Sequence, residues 1–351
     1  MRIIVTGGAG FIGSNLLRYL KQQESHELLN IDKLCFPGSR HTISDFTGID
    51  NYRHVDTDIV DQQQVSSLFM EFEPDVIFHL AAESHVDRSI DNPGSFIDSN
   101  VHGTYSMLEA FRQYYGSLDT QQRLLKRFIH VSTDEVYGSL DNEQAAFSET
   151  SAYHPNSPYA ASKAASDHLV TAWCHTYQLP LIITNCSNNY GPYQFPEKLI
   201  PLVISKAVND QAIPIYGKGE NIRDWLYVED HVRALVKVQE KGQPGESYNI
   251  GAQNELTNLE LVNRICDIVD EINPGNAPKR DLIQFVQDRP GHDFRYAIDN
   301  RKIIEELDWH PQEDFDSGLR RTVSWYLDNQ EWCQKVCEGS YDGRRLGVGT
   351  Q

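Results

Sequence analysis

The stretch RIIVTGGAGFIG, residues 2–13, decides the fold. Its opening apolar run reads as a strand buried on both faces. Gly7, Gly10 and Gly13 follow at three-residue intervals, and residues 12–22 then carry helical periodicity. Glycine permits a tight strand-to-helix turn and lets a pyrophosphate approach the amide donors of a helix N-terminus. A glycine triplet alone is a weak signal, because packing can also require it. Here a strand precedes it, a helix follows it, and Asp32 ends the next apolar run about 20 residues on. An acid at that place suits a ribose diol and disfavours a 2′-phosphate, so NAD is expected rather than NADP.

Working outward, runs at 75–80, 127–132 and 181–185 look like further buried strands, with a weaker one at 51–58. Stretches 62–72, 96–115 and 159–177 are helical in period. This alternation predicts an α/β fold with a doubly wound, Rossmann-type parallel sheet. After residue 187, Pro192, Pro196, Pro201 and Pro214 arrive with Gly191, Gly217 and Gly219, which predicts a smaller mixed α/β substrate lobe. The expected division is a cofactor domain at 1–187, a lobe at 188–223 and 244–335, and a poorly ordered tail at 338–351. Residues 224–243 are expected to return to the first domain, as a strand and helix over 225–240.

The chain has 351 residues, 40% hydrophobic and 10% aromatic, enough for a real core. A net charge of −19 argues against broad nucleic-acid binding, which needs a basic footprint. Six cysteines and thirteen histidines show no metal-ligand or disulfide spacing, so no metal is expected. No signal-peptide pattern opens the chain, and no run approaches the roughly 20 apolar residues of a membrane span. A cytoplasmic protein without a membrane partner is expected.

Two further motifs carry chemistry. In HVSTDEVYG, residues 130–138, the fifth strand leaves the sheet on Thr133, Asp134 and Glu135. The exits Asp58-Ile59 and Leu80-Ala81-Ala82 fall on the same edge, where open parallel sheets bind ligands. In SPYAASKAASDH, Tyr159 and Lys163 stand four apart on one helical face. A nearby lysine favours phenolate, lowering a reference pKa of about 10. Such a phenolate can take a hydroxyl proton while hydride leaves the same carbon for a nicotinamide.

Together these motifs resemble the extended short-chain dehydrogenase/reductase family, whose members act on nucleotide sugars. Within it, HLAAESHVDRS, STDEVYG, SPYAASKAASDHLV, TNCSNNYGPYQFPEKLIPL, PIYGKGENIRDWLYVEDH, YNIG and DRPGHDFRYAID closely resemble the dTDP-glucose 4,6-dehydratases, over residues 2 to about 332. The resemblance implies a lyase that dehydrates dTDP-glucose with internally recycled NAD and supplies deoxysugars such as rhamnose. Tyr159 would act in C4 oxidation with Thr133 on the C4 oxygen. Glu135 would take the C5 proton, and Asp134 would protonate the departing C6 hydroxyl. Epimerases of the family carry small or hydroxyl residues in place of those two carboxyls.

The same resemblance implies further NAD contacts from Phe11, Ile12, Lys33, Leu34, Cys35, Asp58, Ile59, Leu80, Ala81, Ala82, Ser99 and Asn189. For the nucleotide sugar it implies Ser84, Thr133, Asn188, Lys198, Leu199, Pro214, Ile215, Tyr216, Arg223, Asn258, Asp288, Arg289 and His292. Arg223 and Arg289 would neutralise the diphosphate, and Tyr216 would stack on the base. Blander readings are a surface ion pair of Arg223 with Asp224 and a turn-packing role for Tyr216. His85, Asp87 and Arg88 fit a structural network near the cofactor loop as well as they fit catalysis. The run Cys35-Phe36-Pro37 departs from the family's more usual threonine, tyrosine and alanine beside the cofactor. A homodimer through 96–115 and 159–177 is the family's expectation. Dehydration of UDP-glucose, and a catalytically silent NAD-binding regulator, remain as alternatives.

Overall fold

Seven short apolar segments assemble into one parallel sheet in the computed structural model, which describes every residue except 23–24, 36, 276, 340, 342–345 and 347–351. In chain order the strands are β1 (Arg2–Thr6), β2 (Glu27–Ile31), β3 (Tyr52–Val55), β4 (Val76–His79), β5 (Arg127–Thr133) and β6 (Leu181–Cys186). They continue with β7 (Asn188–Tyr190), β8 (Ile213–Tyr216), β9 (Ile222–Tyr227), β10 (Ser247–Ile250), β11 (Glu255–Thr257) and β12 (Ile283–Val286). The large sheet runs β3-β2-β1-β4-β5-β6-β10, and every neighbouring pair is parallel.

Alternation along each strand divides the core. Ile3 and Val5 of β1 join Leu16, Leu17, Leu235 and Ile303 from helices Phe11–Lys21, Val228–Lys241 and Arg301–Leu307 on one face. Ile4 points the other way, into a cluster with Phe69, Phe111 and Val170 from helices Gln62–Phe72, Gly103–Ser117 and Pro158–Tyr177. With both faces covered, the central strands are buried along nearly their whole length, and their polar residues, such as Asn30, His79, His130 and Asn185, are buried with them. Strand order reverses between β1 and β4, which opens a crevice at their carboxyl ends.

The smaller lobe is built from two minor sheets, β11-β9-β7 and β12-β8. They pack with helices Leu199–Val208, Asn258–Ile272 and Phe315–Asp328 around a core of their own.

Three details differ from the sequence reading. Ser247–Ile250, placed within the smaller lobe by sequence, pairs with β6 and forms the edge of the large sheet. The strand near 225 pairs with β7 and β11 instead, although the helix after it does cover the large sheet. The single helix expected over 96–115 is interrupted by a π-helical turn at Ile97–His102. Such turns bulge the backbone outward. Here the bulge lets Asn100 accept from the Glu83 amide and donate to Ser162 Oγ, both at 2.8 Å.

Of the expected tail, only Glu338, Gly339, Tyr341 and Leu346 are among the described residues, and Phe36 of the departing loop also lies outside them. Among the described residues, no helix is long and apolar enough to cross a membrane. Nor does any group of three or more His, Cys, Asp or Glu there form a metal cluster.

Candidate active site

The crevice begins where β1 turns into its helix. Gly7 has φ +71°, and a Cβ there would meet the Ala81 amide nitrogen at 2.8 Å, so the loops after β1 and β4 touch. A Cβ on Gly13 would lie 2.2 Å from the Gly7 carbonyl oxygen. Only glycine allows that close approach. The helix that follows has no side-chain cap and no acid in its first turn, so its first amides face the crevice uncompensated. This is a cradle for a pyrophosphate.

Asp32 closes one side, accepting from the Ala9 amide at 2.9 Å and the Leu34 amide at 2.8 Å. Burial raises its carboxyl, and those two amides pull it back. Lys33 Nζ ties its own loop to Asp58, after β3, and to Ser99 of the π-helical turn, donating at 3.2 Å and 3.0 Å. These residues therefore fit a dinucleotide carrying an unmodified ribose.

The cavity wall contains the expected Gly7, Gly10, Phe11, Ile12, Gly13, Asp32, Lys33, Cys35, Ile59, Leu80, Ala81, Ala82, Ser99 and Asn189. Leu34 and Asp58, also expected there, are not part of that wall; the Leu34 amide donates to Asp32, and Asp58 accepts from Lys33. Cys35 is pushed up to about 12 by burial and by Glu83, whose carboxylate lies 3.8 Å away.

Deeper in, β5 ends on Thr133. Its hydroxyl caps the short 3-10 turn Asp134–Tyr137 by accepting from the Glu135 amide at 3.3 Å, and it donates to Asp134 Oδ1 at 3.3 Å. Asp134 is 2% exposed, and its Oδ2 has no hydrogen-bond partner. Burial, then Glu135, then Asp224 hold its carboxyl well above the usual range. Burial also raises Glu135, but Arg289, Arg223 and Lys198 oppose that rise.

Tyr159 and Lys163 line the same cavity from helix Pro158–Tyr177, whose first turn Ser157 caps. Here the structure corrects a simple electrostatic expectation. The Tyr159 phenol is pushed far up, by burial first and then by Glu135, while a Thr133 hydroxyl contact pulls it down. The Lys163 amine is itself lowered by burial and donates to the Val131 carbonyl at 2.8 Å. Desolvation is the largest influence on both groups in this enclosed site.

A second cavity continues from the first, and Glu135, Ser84, Asn188 and Lys198 belong to both. It is lined by Leu199, Pro214, Ile215, Tyr216, Arg223, Asn258, Arg289 and His292. Asp288 sits outside its wall and accepts from His292 Nδ1 at 2.7 Å. Thr257 and Glu260 form a capping box that sets Asn258 at the start of its helix. The ion-pair reading of Arg223 with Asp224 fails, because adjacent strand residues point apart. Arg223 donates to the carbonyls of Ile222 at 2.7 Å and Asp293 at 2.9 Å and lies 4.2 Å above the Tyr296 ring. Asp224 accepts from the Asn254 amide at 2.7 Å.

Several site residues escaped sequence reading. Tyr296 sits between Asp293, at 2.5 Å, and Glu135, at 3.5 Å. Asp167, one helical turn past Lys163, is fully enclosed and accepts from Ser132 at 2.8 Å and Tyr153 at 3.0 Å. Trp332 and Val336, from helix Gln330–Cys337, wall the cofactor cavity. The position of Asp167 at Lys163 plus four was a legible signal; the other contacts arise from distant segments.

Comparison with known proteins accords with this geometry. The family model described as GDP-mannose 4,6 dehydratase matches residues 4–322. The probable dTDP-glucose 4,6-dehydratase of Sinorhizobium fredii is 54% identical over 348 residues, covering 99% of each chain. The Escherichia coli K12 protein dTDP-glucose 4,6-dehydratase 1 is 53% identical, covering 97% of each. Among solved structures, a dTDP-glucose 4,6-dehydratase from Streptomyces venezuelae with NAD bound superposes with a TM-score of 0.87 at 41% identity, covering 96% of this chain and all 100% of that one.

Proposed function

The chain belongs to the dTDP-glucose 4,6-dehydratase family, and from that premise we propose that it converts dTDP-glucose to dTDP-4-keto-6-deoxy-glucose and water, a hydro-lyase reaction. NAD held by Gly7, Gly10, Gly13 and Asp32 would supply a reversible hydride acceptor, so that no net cofactor is consumed. The chain's own groups manage the protons. Tyr159 takes the C4 hydroxyl proton, Thr133 hydrogen-bonds the C4 oxygen, and Lys163 lends positive charge to the phenolate. Once C4 is a ketone, the C5 proton is acidic and Glu135 removes it. Asp134 gives its proton to the C6 hydroxyl, which departs as water. Glu135 then returns a proton to C5 while the hydride taken from C4 would return to C6, and the proton left on Tyr159 restores Asp134 by way of solvent, so every group ends as it began.

The observation that carries this reading is the pair of unlike carboxyls at the end of β5, in one cavity with Tyr159 and Lys163. Asp134 is pressed toward the protonated form by burial and two acidic neighbours. Glu135 faces three cationic side chains that favour its anion. Burial raises both carboxyls, Asp134 well above its ordinary value and Glu135 against three opposing cations, and that inequality supports their division into an acid and a base. Arg223 and Arg289 would meet the diphosphate, with Tyr216 toward the base.

We also read the chain as a cytoplasmic homodimer. Exposed Ile97, Tyr105 and Tyr177 on the helices covering one sheet face would be shielded by a second copy. Light scattering would show a single-chain mass if that is wrong. The activity is tested by offering dTDP-glucose and UDP-glucose in separate assays for the 4-keto product. Turnover of dTDP-glucose with at least a tenfold advantage is expected; preference for UDP-glucose, or turnover of neither, would refute the assignment.

A further inference from the structure

The short helix Val86–Asp91 leaves the cofactor side and reaches across the cleft to the smaller lobe. Its polar ties end on the nucleotide side of the site. Asp87 Oδ1 accepts from Arg289 Nη1 at 2.8 Å, and Asp87 Oδ2 accepts from the Tyr216 hydroxyl at 3.1 Å. Arg88 Nε donates to Glu197 Oε2 at 2.8 Å, while neighbouring Lys198 donates to the Ser84 carbonyl at 2.7 Å. Arg289 and Tyr216 come from different segments of the small lobe, and one carboxylate of the large lobe fixes both.

The chemistry of that carboxylate is specific. Asp87 is 5% exposed, and each of its oxygens has a donor from the opposite lobe. A charge so enclosed must be paired to persist. Arg289 uses only Nη1 on Asp87, and its Nε is buried with no hydrogen-bond partner. The guanidinium is therefore aimed by one edge and retains donors for an incoming anion. A long side chain fixed beforehand loses less freedom when a ligand arrives.

We propose that Asp87 is a positioning residue for nucleotide recognition: it holds Tyr216 and Arg289 at a set separation, so that a nucleoside diphosphate meets ring and guanidinium already in place. This rests on reading the second cavity as the nucleotide site. Asp87 touches no reacting atom in this scheme. Its contribution is therefore to ground-state and transition-state binding alike.

The test uses the full-length protein and two readouts: calorimetric binding of dTDP, and steady-state kinetics with dTDP-glucose. Asp87→Asn is expected to weaken dTDP binding by about tenfold and to raise KM similarly, with kcat within about twofold. Asp87→Glu, which keeps the charge, should recover most of the affinity. Tyr216→Phe should cost about threefold alone and little more in the Asp87→Asn background, because the two share one bond. Should Asp87→Asn fail to fold, Asp87→Glu and Tyr216→Phe carry the test. Unchanged or tighter dTDP binding in Asp87→Asn overturns the proposal, as does a loss confined to kcat or a fully multiplicative double variant. A wild-type protein that binds dTDP but dehydrates nothing refutes the reaction and leaves this role standing; one that binds no dTDP refutes both.

Discussion

Asp134 and Glu135 are adjacent in the chain, yet their carboxyls keep different company. Asp134 Oδ1 accepts from Thr133 at 3.3 Å while Oδ2 is enclosed without a partner, whereas Glu135 Oε2 lies 3.5 Å from the Tyr296 hydroxyl. The 3-10 turn capped by Thr133 produces that divergence. One cavity thus holds two carboxyls in different surroundings.

This separation makes two variants distinguishable. Exchange of the C5 proton with solvent needs only the base, whereas loss of water needs the acid as well. Glu135→Gln should abolish both C5 exchange and product, with turnover down by about 10²–10⁴. Asp134→Asn should lose product by a similar factor and retain C5 exchange, read by deuterium incorporation into recovered substrate. Equal loss of exchange in both variants would contradict the assignment.

Enclosing Asp134 also has a stability consequence. Its folded carboxyl keeps the proton above the usual range because of burial, Glu135 and Asp224. The unfolded chain releases that proton at about pH 4. Between those points the folded state binds more protons, so this contribution is full below the unfolded value and is lost as pH rises through the folded one. Asp134→Asn removes the titration. Its Tm should exceed the wild type's at about pH 8, by about 2–4 °C for each kcal/mol recovered, and the gap should close toward pH 4. A gap independent of pH would argue against a protonated Asp134.

Tyr159 needs help to ionise. With its phenol raised by burial and Glu135, and the Lys163 amine within the same enclosure, Lys163→Met should move the acidic limb of the rate profile to higher pH. Tyr159→Phe should cut kcat by about 10²–10⁴ while dTDP affinity stays within about twofold. A pH profile unmoved in Lys163→Met would remove the lysine from the proton-transfer step.

The cofactor cradle depends on close backbone approach. Gly13→Ala places a methyl 2.2 Å from the Gly7 carbonyl and 2.9 Å from Gly8 Cα. The helix must shift, costing about 1–3 kcal/mol and displacing the amides that face the pyrophosphate. NAD affinity should fall by at least about tenfold, measured by titration into cofactor-stripped protein; unchanged affinity would show that the cradle lies elsewhere.

Helix Gln330–Cys337 walls the same cavity through Trp332 and Val336. Trp332 stands by Tyr193 at 5.6 Å between ring centroids, and Tyr193 in turn lies under the Arg18 guanidinium at 3.7 Å. Trp332→Ala opens that wall, so NAD should dissociate about tenfold faster with little change in kcat. Stopped-flow displacement by an NAD analogue checks this, and an unaltered rate would limit Trp332 to packing.

Much of this arrangement was legible because it is local. The glycine spacing, the acid ending β2 and the run Thr133-Asp134-Glu135 each concern one strand and its exit, and parallel strands bring their exits to one edge. Tyr159 and Lys163 were readable because their helical spacing follows one strand-helix step after Thr133, in a chain that also carries the glycine loop and Asp32. Long-range partners were not. Asp87 binds residues 129 and 202 positions away, and nothing in HVDRS indicates Tyr216 or Arg289. Ser247–Ile250 is too short to reveal by periodicity which sheet it joins. The state of Tyr159 also escaped, because desolvation depends on the whole enclosure rather than on the neighbouring lysine.

The most direct test of the central claim is turnover of dTDP-glucose in deuterated water, followed by NMR and mass spectrometry. The account predicts a 4-keto-6-deoxy product with deuterium at C5 and no net NADH. A C4 epimer, or a 4-keto product without C5 deuterium, would contradict the roles given to Asp134 and Glu135.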